Sequence, residues 1–168
     1  MRRSMRRILP LLGVVIGCGG VGDGPPAFDG PPIAFDSGTV RIIGGTDTVV
    51  LRVEVASTPD QQEVGLMERT SLAPNGGMIF TYAEVQPKTD AFWMFRTRIP
   101  LDIAFVDSAG RIAAILGMDP CESPNPEWCR NYRAGVRYVS ALEVNRGFFA
   151  GHGIGVGHAL RLDRDATR

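Results

Sequence analysis

The sequence predicts a mainly β, α+β domain: a compact, barrel-like antiparallel or mixed sheet with one helix toward the N-terminal side and a short helical turn near the C-terminus. Three observations lead there. Short runs of β-branched and aromatic residues recur between turns that carry Gly, Pro or Asp. One stretch carries a clear helix start signal. And 168 residues with 44% hydrophobic content suit one domain of ordinary size and not a disordered chain.

The N-terminus reads as an address. Arg2, Arg3, Arg6 and Arg7 precede the apolar run from Ile8 to Ile16, which ends at Gly17-Cys18. The run is too short for the roughly 20 residues that span a bilayer, so it is a signal-peptide core. Small or aliphatic residues before a lone Cys resemble the lipobox of bacterial lipoproteins, in which that Cys becomes the acylated first residue. This assigns lipidation to Cys18, with the membrane as partner through the anchor; cleavage near Gly20 to release a soluble protein is the alternative. Gly19 follows the Cys where some inner-membrane lipoproteins carry Asp, which favours the periplasmic side of an outer membrane. The organisation expected is 1–17 signal peptide, 18–38 lipidated Cys and Gly/Pro-rich tether, 39–163 folded domain, and 164–168 tail.

Within the domain, Val40, Ile42 and the alternation Leu51, Val53, Val55 predict two strands around the turn Gly44-Gly45-Thr46-Asp47. Ser57-Thr58-Pro59-Asp60 opens a helix: Thr58 or Ser57 caps, Pro59 fits the first helical position, and Asp60 and Glu63 suit its positive end. Val64 and Met67 supply its apolar stripe, and 72–77 end it in a loop. Strands follow at 78–82, 91–95, 103–106 and 111–116, the last two joined by Asp107-Ser108-Ala109-Gly110. A Pro- and Cys-bearing loop spans 120–132. A strand is expected at 138–144, a helical turn around 147–151, and a final strand at 159–162.

Charge narrows the partners. Lys+Arg and Asp+Glu are 18 each; without the four leader arginines 14 basic face 18 acidic residues, a net charge of −4. Such a surface has no electrostatic footprint for nucleic acid.

Several blocks then stand in order: Gly65-Leu66-Met67-Glu68-Arg69, Gly77-Met78-Ile79-Phe80, Phe92-Trp93-Met94, Thr97-Arg98-Ile99-Pro100-Leu101-Asp102-Ile103-Ala104-Phe105, Pro120-Cys121, Cys129, Tyr132, Leu142-Glu143-Val144 and Gly153-Ile154-Gly155-Val156-Gly157. Over roughly residues 50–160 the chain resembles the DUF192 family (also called UPF0127), small bacterial and archaeal domains that often carry signal or lipoprotein leaders. The resemblance implies a compact, largely β domain with a helix near its start, and no established activity. Phe95-Arg96 stand where the family commonly has Lys-Asn, and His158 where an acidic residue is frequent.

Cys121 and Cys129, eight apart in the loop of an exported protein, predict a disulfide worth about 2–3 kcal/mol by loop closure. A redox or metal pair is the alternative, but the spacing is not Cys-X-X-Cys and a four-ligand zinc site lacks further Cys. His152 and His158 read as exposed loop residues: no Gly-X-Ser-X-Gly accompanies them, and flanking glycines leave their geometry open. Met67, Met78 and Met94 with Trp93 read as core filling, with a soft Cu(I) site as the alternative. No cofactor is assigned. Phe92, Trp93 and Tyr82 are candidates to line a sugar- or peptide-binding groove.

Arg69, Asp102 and Glu143 are the polar residues inside the recognisable blocks. An Arg–carboxylate pair either holds helix to sheet or, at a cleft, binds a carboxylate, an amide or a sugar hydroxyl. The expectation is an envelope binding or accessory module, not an enzyme, whose ligand surface joins Arg69, Trp93, Asp102 and Glu143; the ligand is small, or carbohydrate or peptide. The alternative is a carbohydrate-active hydrolase using Asp102 and Glu143 as paired carboxylates.

Overall fold

The computed structural model describes residues 33–44 and 47–166. The signal segment, Cys18 and most of the tether lie outside the described residues, as do the two middle residues of the first predicted turn. β1 (Asp36–Gly44) and β2 (Asp47–Ala56) pair antiparallel from Asp36↔Val55 to Gly44↔Asp47. β1 thus begins inside the segment read as tether. It does so because Gly38, Val40 and Ile42 are buried, and Phe35 just ahead of it already packs on the core.

α1 (Pro59–Val64) starts as the cap signal predicts, with Pro59 in the first turn and Thr58 as N-cap. The Thr58 hydroxyl accepts from the Gln61 amide at 3.3 Å, and the Gln61 side chain accepts from the Thr58 amide at 3.1 Å, a reciprocal capping box. The helix is shorter than its predicted stripe, because Gly65 turns the chain away at φ 46°. Met67 therefore lies beyond it. The crossover through α1 lets β3 (Gly76–Gln86) lie parallel to β2, which a tight turn does not permit.

β4 (Ala91–Trp93), β5 (Leu101–Val106), β6 (Ile112–Met118), β7 (Asn131–Arg133) and β8 (Tyr138–Asn145) follow, then the short α2 (Phe148–Gly151) and β9 (Ala159–Arg164). Seven strands form one mixed sheet in the order β6-β5-β8-β3-β2-β1-β9, while β4 and β7 form a separate two-stranded sheet. The large sheet is not closed. Its two edges meet at one corner only, where Arg111 bridges to Ala159 and the Ile112 amide donates to His158 O at 2.9 Å. That corner contact accounts for the barrel-like character of an open sheet.

The curl separates two apolar layers. Residues from all seven strands of the large sheet, among them Val40, Leu51, Ile79, Ala104, Ile112, Leu142 and Leu160, fill the inner layer, which Phe148 and Phe149 of α2 plug. Alternate residues of the same strands (Met78, Phe80, Ile103, Phe105 and Ala141) form the outer layer, with Leu66, Met94 and Tyr132 from the segments that cover it. All six residues of β5 are buried, as expected for a strand covered on both faces. No helix among the described residues is long and apolar enough to cross a membrane.

Candidate functional site

Glu143 sits in the outer layer. On β8 it faces Ile103 of β5 and Met78 of β3, both fully buried. Gly77 makes this fit possible, since a Cβ there would lie 2.4 Å from the Glu143 carbonyl oxygen. Above the carboxyl the chain leaves α1, and Gly65 again permits a close approach: its left-handed turn runs over Phe80, whose ring a Cβ would meet at 3.2 Å.

The result is a narrow cavity of about 30 Å³, roughly the room of one water. Glu143 is at its wall, with Gln62 and Met67 on the α1 side and Phe80, Trp93 and Thr97 opposite among its lining. Glu143 is 4% exposed and has no ion-pair or hydrogen-bond partner for its carboxyl among the described residues. Every sealed side-chain polar atom among those residues is partnered, so this carboxyl opens onto the cavity. Burial without a compensating charge pushes its pKa up to about 8. At neutral pH the group is mostly a neutral acid, able to donate a hydrogen bond as well as accept one.

Trp93 stands at the rim, 39% exposed, its ring centroid 5.8 Å from that of Phe95. β4 holds it there by pairing with β7, where Trp93 faces Asn131. Behind it, Phe92 packs edge-on against Phe80 at 5.1 Å and Phe105 at 5.6 Å. A second concavity of about 350 Å³ continues from Trp93 and Gln62 to Tyr82, Gln86 and Asp90. Beside it, burial pushes the Tyr138 hydroxyl up to about 12, helped by the Asp90 charge.

Of the four residues expected to share one surface, the structure joins only Trp93 and Glu143. Asp102 is on the opposite face of the sheet: it pairs with Val144 of the inner layer, while Glu143 pairs with Ile103 of the outer one. There its carboxylate accepts the Gly147 amide at 2.8 Å, tying down the start of α2, and lies 3.4 Å from Arg146 Nε. Neither the expected shared surface of Asp102 and Glu143 nor the alternative of a paired-carboxylate hydrolase is therefore kept. One-residue spacing in register turns the two side chains to opposite faces of the sheet. Arg69 donates to both Glu54 carboxylate oxygens at 2.7 Å and does not line the cavity. It is a tie between the end of the α1 segment and β2, the holding role weighed from the sequence.

Gln62 and Thr97 escaped the sequence reading. Thr97 lies in a recognisable block and is 5% exposed; an embedded hydroxyl there was the available signal. Cys121 and Cys129 are bonded, with Cα atoms 5.8 Å apart. His152 donates its Nδ1–H to the Phe148 carbonyl oxygen, 2.8 Å away, and its ring lies 4.3 Å from that of Phe148. His158, six residues on, is half-buried against Gly44 and Gly155, where an exposed loop residue was expected, and its Nδ1 accepts the Gly155 amide. No group of three metal-ligating side chains occurs among the described residues. Met78 and Met94 are sealed in the outer apolar layer, so the copper alternative loses two of its three thioethers to core packing.

A family model, DUF192, described as an uncharacterized ACR, matches residues 40–162. No curated protein matches the chain. Among solved structures, a protein provisionally named a transcription regulator from Sinorhizobium meliloti is 31% identical, with a TM-score of 0.68 over 79% of this chain and 98% of that one. A protein of unknown function from Novosphingobium aromaticivorans is 34% identical, with a TM-score of 0.63 over 73% of this chain and 83% of that one.

Proposed function

The chain belongs to the DUF192 family, and on that premise we propose that it is an exported, lipid-anchored binding or accessory module whose ligand meets Trp93 and Glu143. One observation carries the reading: a buried, unpaired carboxyl opens onto a cavity at whose rim a half-exposed indole stands. Leaving such a group buried costs stability, and groups of this kind concentrate at functional sites. The chemistry favours a neutral ligand. A neutral acid donates to a carbonyl or sugar oxygen, and the indole face stacks on a ring or a flat amide. Carbohydrate and peptide both fit that description.

Export is supported by the leader pattern and by the Cys121–Cys129 bond, which suits an oxidising compartment. Replacing Cys18 with Ser is the test of the anchor. The variant should leave the membrane fraction; its retention there overturns acylation at Cys18. The regulator name attached to the Sinorhizobium relative finds no support in the charge, since without the leader arginines 14 basic face 18 acidic residues, a sum that does not attract DNA.

The binding reading is tested by titrating the full chain with neutral oligosaccharides and with end-blocked peptides, watching the indole N–H resonances of its two tryptophans. Binding should move Trp93 and leave Trp128, which is 72% exposed and outside the cavity. Trp93→Ala should weaken it by about tenfold or more. Failure of every probe to move Trp93, or unchanged affinity in both Trp93→Ala and Glu143→Gln, overturns the proposal.

A further inference from the structure

A cleft of about 430 Å³ shares Phe95 with the Glu143 cavity but has a different chemistry. Its charged lining is Glu68, Arg96, Arg98 and Glu122, with Phe95 and Pro124 as apolar wall. Glu68 and Arg96 are also the non-glycine residues with left-handed backbone among the described residues, at φ 61° and 56°. L-residues avoid that region because Cβ crowds the neighbouring carbonyl. Two such residues in contact at one cleft are an outlier that calls for a cause.

The fold over-determines them. The Glu68 amide donates to Arg96 O at 2.8 Å, and the Arg96 amide donates to Cys121 O at 2.9 Å, so three loops are clasped in series. Arg96 Nε donates to one Glu68 carboxylate oxygen at 2.7 Å, and Arg98 pairs with the other. One carboxylate is thus spread across two guanidiniums at the edge of an open space. Hydrogen bonding from Arg96, with help from Arg98, holds its pKa below the usual carboxylate value. Each guanidinium has five N–H groups, and the rest find no protein acceptor among the described residues.

We propose that this cleft binds a small zwitterion of the amino-acid or dipeptide class, its carboxylate on Arg96 and Arg98 and its ammonium at Glu122. The lining carries two positive and two negative side chains. Its neutral sum disfavours a bare anion, while the separation of sign suits a ligand with both charges. The volume falls in the range of small-molecule sites. Phe95 and Pro124 offer the ligand's side chain an apolar contact. The site stands independently of whatever binds at Trp93.

The test is calorimetric titration of the full chain with L-alanyl-L-alanine, its C-terminal amide, its N-acetyl form, and acetate. Saturable binding of the free dipeptide is expected, about tenfold weaker for the amide and several-fold weaker for the N-acetyl form. Arg98→Gln, at a side chain 53% exposed, should reproduce the loss of the amide in a chain whose circular dichroism is unchanged. Should Arg98→Gln disturb the fold, Glu122→Gln is the second variant: it should weaken the free dipeptide and leave the N-acetyl form unaltered. The proposal is overturned by no saturation of the free dipeptide up to about 10 mM. It is equally overturned by an amide that binds as tightly as the acid, by acetate that binds as tightly as the dipeptide, or by folded Arg98→Gln of full affinity.

Discussion

The two faces of the seven-stranded sheet are built from the same strands, yet they are made differently. The inner face is almost wholly aliphatic, closed by two phenylalanines of α2, and its one buried carboxylate among the described residues, Asp102, is spoken for by the Gly147 amide and Arg146. The outer face mixes aromatic rings, methionines and a carboxyl with no partner, under a cover of short segments tied by a disulfide. Both layers exclude water well. Only the outer one does so with an unresolved polar cost and with strained residues nearby. The proposed function rests on that difference: the inner layer holds the sheet together, and the proposed ligand surface lies on the outer one.

The largest expected effect separates the faces by pH. In the unfolded chain Glu143 titrates near 4.5, and in the folded chain near 8. Between those values the native state keeps a proton that the unfolded chain has released, so stability falls as pH rises and levels off above the window. At 1.36 kcal/mol per unit the fall approaches about 5 kcal/mol as an upper figure. Denaturant midpoints of Glu143→Gln across pH 4–9 should lack that slope. An unchanged slope would mean the outer carboxyl is no more burdened than the inner one. Next in size, Phe149→Ala opens a hole in the inner layer, where the ring is 1% exposed, and should cost about 3–5 kcal/mol by urea unfolding. Where that variant still folds, ligand shifts at Trp93 should persist; their loss would deny that the faces do separate work.

Smaller effects sharpen the picture of the outer cover. Replacing Cys121 and Cys129 with Ser should remove about 2–3 kcal/mol, read as a lower thermal midpoint. A loss well below that would mean the β4–β7 pairing alone organises the loop. Arg69→Ala should be the mildest, about 0–1 kcal/mol and less at high salt, since the Arg69 and Glu54 side chains are 41% and 34% exposed. A larger loss would make this tie a structural pillar of the outer face.

Local signals were read well. The apolar alternation of β2 and the Thr58-Pro59 start of α1 depend on neighbours in sequence, and both stand as expected. The strand β7 was missed because three residues in a Cys-bearing loop become a strand only through distant β4. The open seam between β6 and β9 was likewise beyond local pattern, being set by contacts across nearly fifty residues. Among the candidate residues, Trp93 and Glu143 were picked out, but their separation from Asp102 was not. Glu143 lies within one expected strand and Asp102 just ahead of another; which way each points depends on register between β5 and β8. The left-handed Arg96 had a sequence counterpart in the departure from Lys-Asn, since asparagine adopts that backbone at lower cost than arginine. Its partnership with Glu68 had none.

The carbonyl that receives the Arg96 amide belongs to a cysteine whose sulfur is itself bonded. The rim of the charged cleft is therefore completed by an oxidation as well as by folding. Reduction of that bond would remove the covalent tie and leave the Cys121 carbonyl held by hydrogen bonds alone. If the cleft binds as proposed, its competence would depend on the redox state of its surroundings, with no separate switch required.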